Sequence, residues 1–152
     1  MRDIVVITDT SCLIALSKLE AVDILHKLYP NIFITQDIAE EFGEPLPGWI
    51  QIQAVPNKNY QRLLEVTLDR GESSAIALAM DIQNVLLIID EMKGRREAKR
   101  LGLRITGTLG ILLKAKQQGF FDKIAPLLDK LEAKGFRLSQ EVKSAILKES
   151  GE

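Results

Sequence analysis

The chain has 152 residues, with 20 Lys and Arg against 21 Asp and Glu and a formal net charge of −1. That length is the size of one domain, taken as residues 1–152, and the balanced charge excludes a generally basic nucleic-acid coat while leaving local clusters open. The lone cysteine, Cys12, permits no internal disulfide, and no stretch has the length of a membrane span or the form of a signal peptide; a soluble cytoplasmic protein is expected.

The first element is Ile4-Val5-Val6-Ile7, four β-branched residues without polar alternation, the pattern of a strand buried on both faces of a parallel sheet. It is expected to end at Asp9, with Thr10 and Ser11 capping a helix that packs Leu13, Ile14 and Leu16 back on the sheet. Asp9 then stands at the carboxyl end of a central strand, where open α/β sheets place their ligand sites. Val22, Leu25 and Leu28 continue at helical spacing, and Ile32-Phe33-Ile34 is a second strand. His26, in that second helix, is the only histidine and reads as a surface or half-buried residue. A serine triad or a histidine-rich zinc site is excluded by inventory.

A third helix starts near Gln36. Ile38 and Phe42 mark its inward face, Glu41 flanks that face, and Glu40 points away. After a Gly- and Pro-rich turn, residues 49–55 alternate like an edge strand, and a helix over 60–68 carries Leu63, Leu64 and Leu68 inward. Asp69-Arg70-Gly71-Glu72 leads into a small-residue helix whose inward stripe is Ala75, Leu78, Ala79 and Ile82; Glu72 lies on that stripe. Val85-Leu86-Leu87-Ile88-Ile89 repeats the first strand's pattern and ends at Asp90-Glu91. Two buried strands, each ending in a carboxylate, are expected side by side at the switch point of the sheet.

Helix 92–101 is basic, with Lys93, Arg95, Arg96, Lys99 and Arg100 against Glu97. It begins just after a candidate site acid, so a phosphate-backbone surface is expected there. Residues 103–106 form a last strand, and Gly107-Thr108-Leu109-Gly110 opens a helix packed closely on the sheet. Asp122 is expected to cap a helix with Ile124, Leu127, Leu128 and Leu131 inward, and a final helix follows Ser139 with Val142, Ala145 and Ile146 on one face.

Asp9, Glu41, Glu72 and Asp90 thus fall at strand ends or on inward helix flanks. Gathered without cations they repel and raise one another's pKa values, and a hard divalent ion relieves this. Oxygen ligands without His or Cys suit Mg²⁺ or Mn²⁺, which can activate water for phosphodiester hydrolysis.

The ordered set Asp9-Thr10-Ser11, Glu41, Gly71-Glu72 before Ala75-Ile76-Ala77-Leu78-Ala79, and Asp90 before Gly94-Arg95 resembles the PIN-domain nucleases. Residues 94–103 and Thr106-Gly107-Thr108-Leu109-Gly110 resemble a prokaryotic branch related to VapC-type toxins. The resemblance implies a three-layer α/β/α fold with a parallel sheet of order 3-2-1-4-5 and endonucleolytic cleavage of RNA. It further implies a Mg²⁺ or Mn²⁺ site, a homodimer and a cognate antitoxin. It assigns the acidic quartet to Asp9, Glu41, Glu72 and Asp90, with Ser11 as a supporting hydroxyl. Lys93, Arg95, Arg96 and Lys99 are the expected RNA-backbone contacts. The chain departs from the branch at Ser74, where a second acid is common, and at Glu91, a longer metal ligand than the usual aspartate. Two competing readings follow: an impaired module that binds RNA or a protein through the same surface, and a phosphotransferase using Asp9 as nucleophile.

Overall fold

The computed structural model describes residues 3–152. A five-stranded parallel sheet, β1 (Val5–Thr8), β2 (Asn31–Thr35), β3 (Ile50–Gln53), β4 (Val85–Ile88) and β5 (Arg104–Thr106), has the order β3-β2-β1-β4-β5. Around it lie α1 (Thr10–Lys18), α2 (Asp23–Leu28), α3 (Gln36–Phe42), α4 (Lys58–Leu64), α5 (Arg70–Ala79), α6 (Met92–Arg100), α7 (Thr108–Gln117), α8 (Ala125–Ala133) and α9 (Gln140–Glu149). The result is the expected α/β fold, a sheet flanked by helices.

The unbroken apolar runs occupy the middle of the sheet because both faces there are covered. Ile7, Ile34, Leu87 and Ile88 are fully buried, each contributing about 1.5–3 kcal/mol of transfer free energy. β1 pairs with β2 on one side and β4 on the other, with Thr8 opposite Ile88. From β1 the chain leaves toward β2, and from β4 toward β5, so the strand order reverses between β1 and β4. That crevice is where a sheet of this kind accepts a ligand. α5 packs on β1, β2 and β4, and its run of Ser73 to Ala79 is buried throughout; small side chains allow this close approach.

Four expectations are corrected. The cap of α1 is Asp9 itself, not Thr10 or Ser11, because only the Asp9 carboxylate reaches the Cys12 N–H. The helix expected over 60–68 ends at Leu64, and Leu63 points outward at 70 % exposure while Leu64 and Leu68 are buried. Asp122 does not cap α8; the Glu152 carboxylate instead accepts hydrogen bonds from the Ile124 and Ala125 N–H groups. In α9 only Ile146 is buried, and Val142 is exposed. His26 lies on the surface as expected, stacked on Trp49 with ring centroids 4.9 Å apart.

Candidate active site

The two central strands end in the two acids that the apolar runs pointed to. Asp9 is buried at the start of α1: its Oδ1 accepts from the Cys12 N–H and its Oδ2 from the Asp90 N–H, both at 2.9 Å. The second bond crosses from the end of β1 to the end of β4 and locks the acids side by side. Asp90 is held in turn by the start of α7. Its Oδ1 accepts from the Thr108 N–H at 2.8 Å and its Oδ2 from the Thr108 hydroxyl at 2.5 Å.

A cleft of about 150 Å³ opens beside Asp9, with Ser11, Glu41, Asp69, Glu72 and Glu91 also in its wall. Among the described residues its lining includes no Lys, Arg or His. Asp90 faces the adjoining cavity, which shares Ser11 with the cleft. Three of these carboxylates lie against glycine backbone. A Cβ on Gly71 would stand 3.0 Å from Glu41 Oε1, one on Gly94 2.5 Å from Glu72 Oε2, and one on Gly107 2.7 Å from Asp90 Oδ1. The contacts at Gly94 and Gly107, below 3.0 Å, admit no larger residue without movement of the acid, so these two glycines set how closely α6 and the start of α7 approach the site.

Burial and crowding act together on two of these acids. Burial first, then the Asp90 charge, pushes the Asp9 carboxyl up to about 7, against the pull of its two N–H donors. Burial, followed by the neighbouring Asp69 and the charges of Glu91 and Asp9, pushes Glu72 up to about 8. Glu72 Oε2 is moreover buried without a hydrogen-bond partner. Carboxylates gathered in one cleft, with a buried Glu72 oxygen left unpartnered at its edge, are a donor set that fits a hard divalent cation. Among the described residues no three acidic, His or Cys side chains enclose a ready-made cage. Mg²⁺ does not require one, since it keeps several waters and binds proteins through one or two carboxylates.

Other expected site residues divide into two groups. Lys93 and Arg96 line a surface recess with Thr67 and Leu68, and Lys99 is exposed on the same helix; they remain open to a ligand. Arg95 is engaged internally, its Nη1 donating to the Ile89 carbonyl at 2.7 Å just before Asp90, so it braces the end of β4. Glu91 lines the cleft and also accepts from the Lys93 N–H at the start of α6. Ser74 is fully buried: its hydroxyl donates to the Gly71 carbonyl and pairs with Thr35 Oγ1, each at 2.7 Å. In this chain position 74 therefore ties α5 to the end of β2.

Asp69 was not among the expected site residues. It caps α5 by accepting from the Glu72 N–H at 2.8 Å and lines the cleft as well. Its signal was the Asp-x-x-Glu spacing of a helix start, here Asp69 to Glu72.

A family model described as a PIN domain matches residues 5–152. The chain belongs to the PIN-domain family. No significant match to a curated protein or to a solved structure was found. PIN domains are generally nucleases and usually use divalent metals, and the acid cleft of this PIN domain lies at the switch point of a nuclease-type fold. Among the described residues no helix is long and apolar enough to cross a membrane.

Proposed function

We propose that this PIN domain is a metal-dependent endoribonuclease, one domain over residues 1–152, and the toxin of a toxin–antitoxin pair in the VapC-like branch. The observation that carries the nuclease reading is the pairing of Asp9 and Asp90 across the switch point beside a cleft walled by further acids and, among the described residues, no base. Such a cleft cannot attract RNA phosphate by itself; it favours a cation first. Bound there, Mg²⁺ or Mn²⁺ would supply charge neutralisation and an activated water.

The residues of the chain then have separable tasks. Asp9 and Asp90 offer their remaining lone pairs from a rigid frame, since each is already oriented by backbone N–H groups. Glu72, Glu41 and Glu91 offer further carboxylates from the wall of the cleft. Ser11, at the junction of the two cavities, is the supporting hydroxyl. Lys93, Arg96 and Lys99 hold the RNA backbone from α6, whose basic face starts next to the cleft. Arg95 acts by positioning Asp90 through the Ile89 carbonyl. A nucleophilic role for Asp9 is disfavoured, because its carboxylate is buried and both its oxygens accept N–H bonds.

The toxin reading, an antitoxin partner, a homodimer and a cytoplasmic setting rest on the sequence resemblance. A second reading, an impaired module that binds RNA or a protein, draws on the absence of a ready-made three-ligand cage among the described residues. The deciding experiment is cleavage of a mixed RNA pool with Mn²⁺ and with EDTA, wild type beside Asp90→Asn. Cleavage that requires both the metal and Asp90 is expected. RNA binding without cleavage, and no heat of metal binding by calorimetry, would transfer the molecule to the second reading.

A further inference from the structure

Next to the acid cleft lies a larger cavity, of about 300 Å³, walled by α1, the start of α7 and the turn between α8 and α9. Ser11 belongs to both cavities, and Asp90, whose N–H donates to Asp9 of the cleft, lines the larger one. The rest of the wall is chemically different. Ala15, Leu109, Leu131, Phe136 and Leu138 make it predominantly apolar, and Arg137 brings one cation to it.

This wall is built in advance. Gly135, at φ +96°, turns the chain out of α8, and the Phe136 N–H donates to the Leu131 carbonyl at 3.0 Å. Ser139 then caps α9, accepting from the Val142 N–H at 3.1 Å, and Lys143 of α9 returns to Glu132 of α8 at 2.6 Å. The segment carrying Phe136, Arg137 and Leu138 is thereby clamped at both ends.

A cavity with apolar walls, a few polar groups at one end and a cation is matched to a flat ring with polar edges attached to a phosphate. Any phosphodiester held at the acid cleft carries a nucleoside on each side, within one nucleotide's reach of this cavity. We propose that the cavity receives the base of one nucleotide flanking the scissile phosphate, with Phe136 and Leu138 against the base and Arg137 on the adjoining phosphate. This rests on the nuclease reading and deepens it: the α8–α9 turn becomes the part of the chain that selects where RNA is cut. Continuity with the acid cleft through Ser11, with Asp90 in the wall hydrogen-bonded to Asp9, together with the charge of Arg137, favours RNA over a protein segment as occupant.

The test begins by mapping a cut made by the wild-type protein with Mn²⁺. Oligonucleotides then carry an abasic residue at either nucleotide flanking that cut, and kcat and KM are measured for wild type, Leu138→Trp and Arg137→Ala. One abasic position is expected to raise the wild-type KM roughly 10-fold, the scale of a lost base contact. Leu138→Trp, whose ring fills the cavity, raises KM on intact RNA and erases the difference between intact and abasic oligonucleotides. Arg137→Ala, at an exposed position that leaves the wall in place, raises KM on both and reports independently should the tryptophan variant fail to fold. Wild-type cleavage indifferent to abasic residues at both positions overturns this proposal and leaves the nuclease reading standing. A Leu138→Trp variant that folds and keeps the wild-type discrimination overturns it too, and would give the cavity to a protein segment. Absence of any wild-type cleavage with Mn²⁺ overturns both the proposal and the nuclease reading.

Discussion

Two sets of buried or enclosed carboxylates sit in this molecule under opposite rules. At the carboxyl end of the sheet, burial first and neighbouring acids second push Asp9 and Glu72 up to about 7 and about 8. At the far end of the chain, Glu152 accepts from Lys116 Nζ at 2.8 Å, from the Ile124 and Ala125 N–H groups at 2.7 and 3.1 Å, and from the Ser150 hydroxyl at 2.8 Å. Desolvation would raise the Glu152 pKa, but the Lys116 bond and these donors win, and its carboxyl is drawn down to about 2. Glu152 has a cation and several donors that outweigh its desolvation, whereas the N–H donors of Asp9 do not outweigh burial and the neighbouring acids. The contrast distinguishes a carboxylate neutralised by its own surroundings from acids that lack such a partner, and it does so independently of any family resemblance.

The largest break in this comparison should come from Asp9→Asn. It removes the repelling charge and keeps an oxygen for the Cys12 N–H, while its amide NH2 replaces the acceptor of the Asp90 N–H, so the fold is retained with one hydrogen bond between β1 and β4 lost. Cleavage should fall by more than about 100-fold, beyond the cost of losing an outer-shell partner. Retained cleavage would take Asp9 out of the mechanism. Gly94→Ala should come next, because its methyl would meet Glu72 Oε2 and Ile89 Cδ1 at 2.5 and 2.6 Å. Displacing Glu72 should lower cleavage roughly 10-fold, and overpacking should cost about 1–3 kcal/mol in a denaturant titration. A variant as active and stable as wild type would mean that the acid's position is not set by this contact.

The pH response should differ in sign between the two regions. Asp9 and Glu72 have folded-state values above their ordinary 3.8 and 4.5, so the folded chain binds more protons than the unfolded one across that interval. Their contribution to stability is therefore lost as pH rises toward about 7 and 8. In EDTA the Tm should fall from pH 5 to pH 8, and Mn²⁺ should raise it more at pH 8 than at pH 5; a flat, metal-independent profile would contradict the crowding. Glu152 behaves oppositely, stabilising above its ordinary 4.5 and losing this as pH falls toward about 2. Glu152→Gln should lower Tm at pH 7, by an amount that shrinks in strong acid.

The smallest effect on activity is expected at Ser74. Ser74→Ala loses two buried hydrogen bonds, about 1–3 kcal/mol, with cleavage close to wild type. A gain of cleavage in Ser74→Asp would show that this side chain reaches the cleft after all.

What the sequence disclosed, and what it withheld, follows the range of the interactions. The β1 and β4 runs showed themselves because burial on both faces leaves no polar alternation, and their end points located Asp9 and Asp90. Helix spacing was enough to bring Glu72 and Glu41 to the same cleft. Thr10 and Ser11 look as fit as Asp9 to cap α1 because all three residue types cap helices, and only geometry shows which reaches the Cys12 N–H. No local pattern reveals that Glu152 caps α8 from beyond the end of α9. Leu63 fits an apolar helical stripe, yet α4 stops one residue later and leaves it in solvent. Asp69 is masked by its ordinary role at a helix start, which it performs while also lining the cleft.

The stack of His26 on Trp49 supplies an optical handle that the chemistry does not touch. Trp49 is the only tryptophan and stands just before β3, at the amino ends of the parallel strands, whereas the acids lie at the carboxyl ends. Its emission reports whether α2 is docked against the edge of the sheet. A metal titration that switches cleavage on while Trp49 fluorescence stays constant therefore reads out the cleft alone, and a simultaneous change in both would reveal motion carried through the whole sheet.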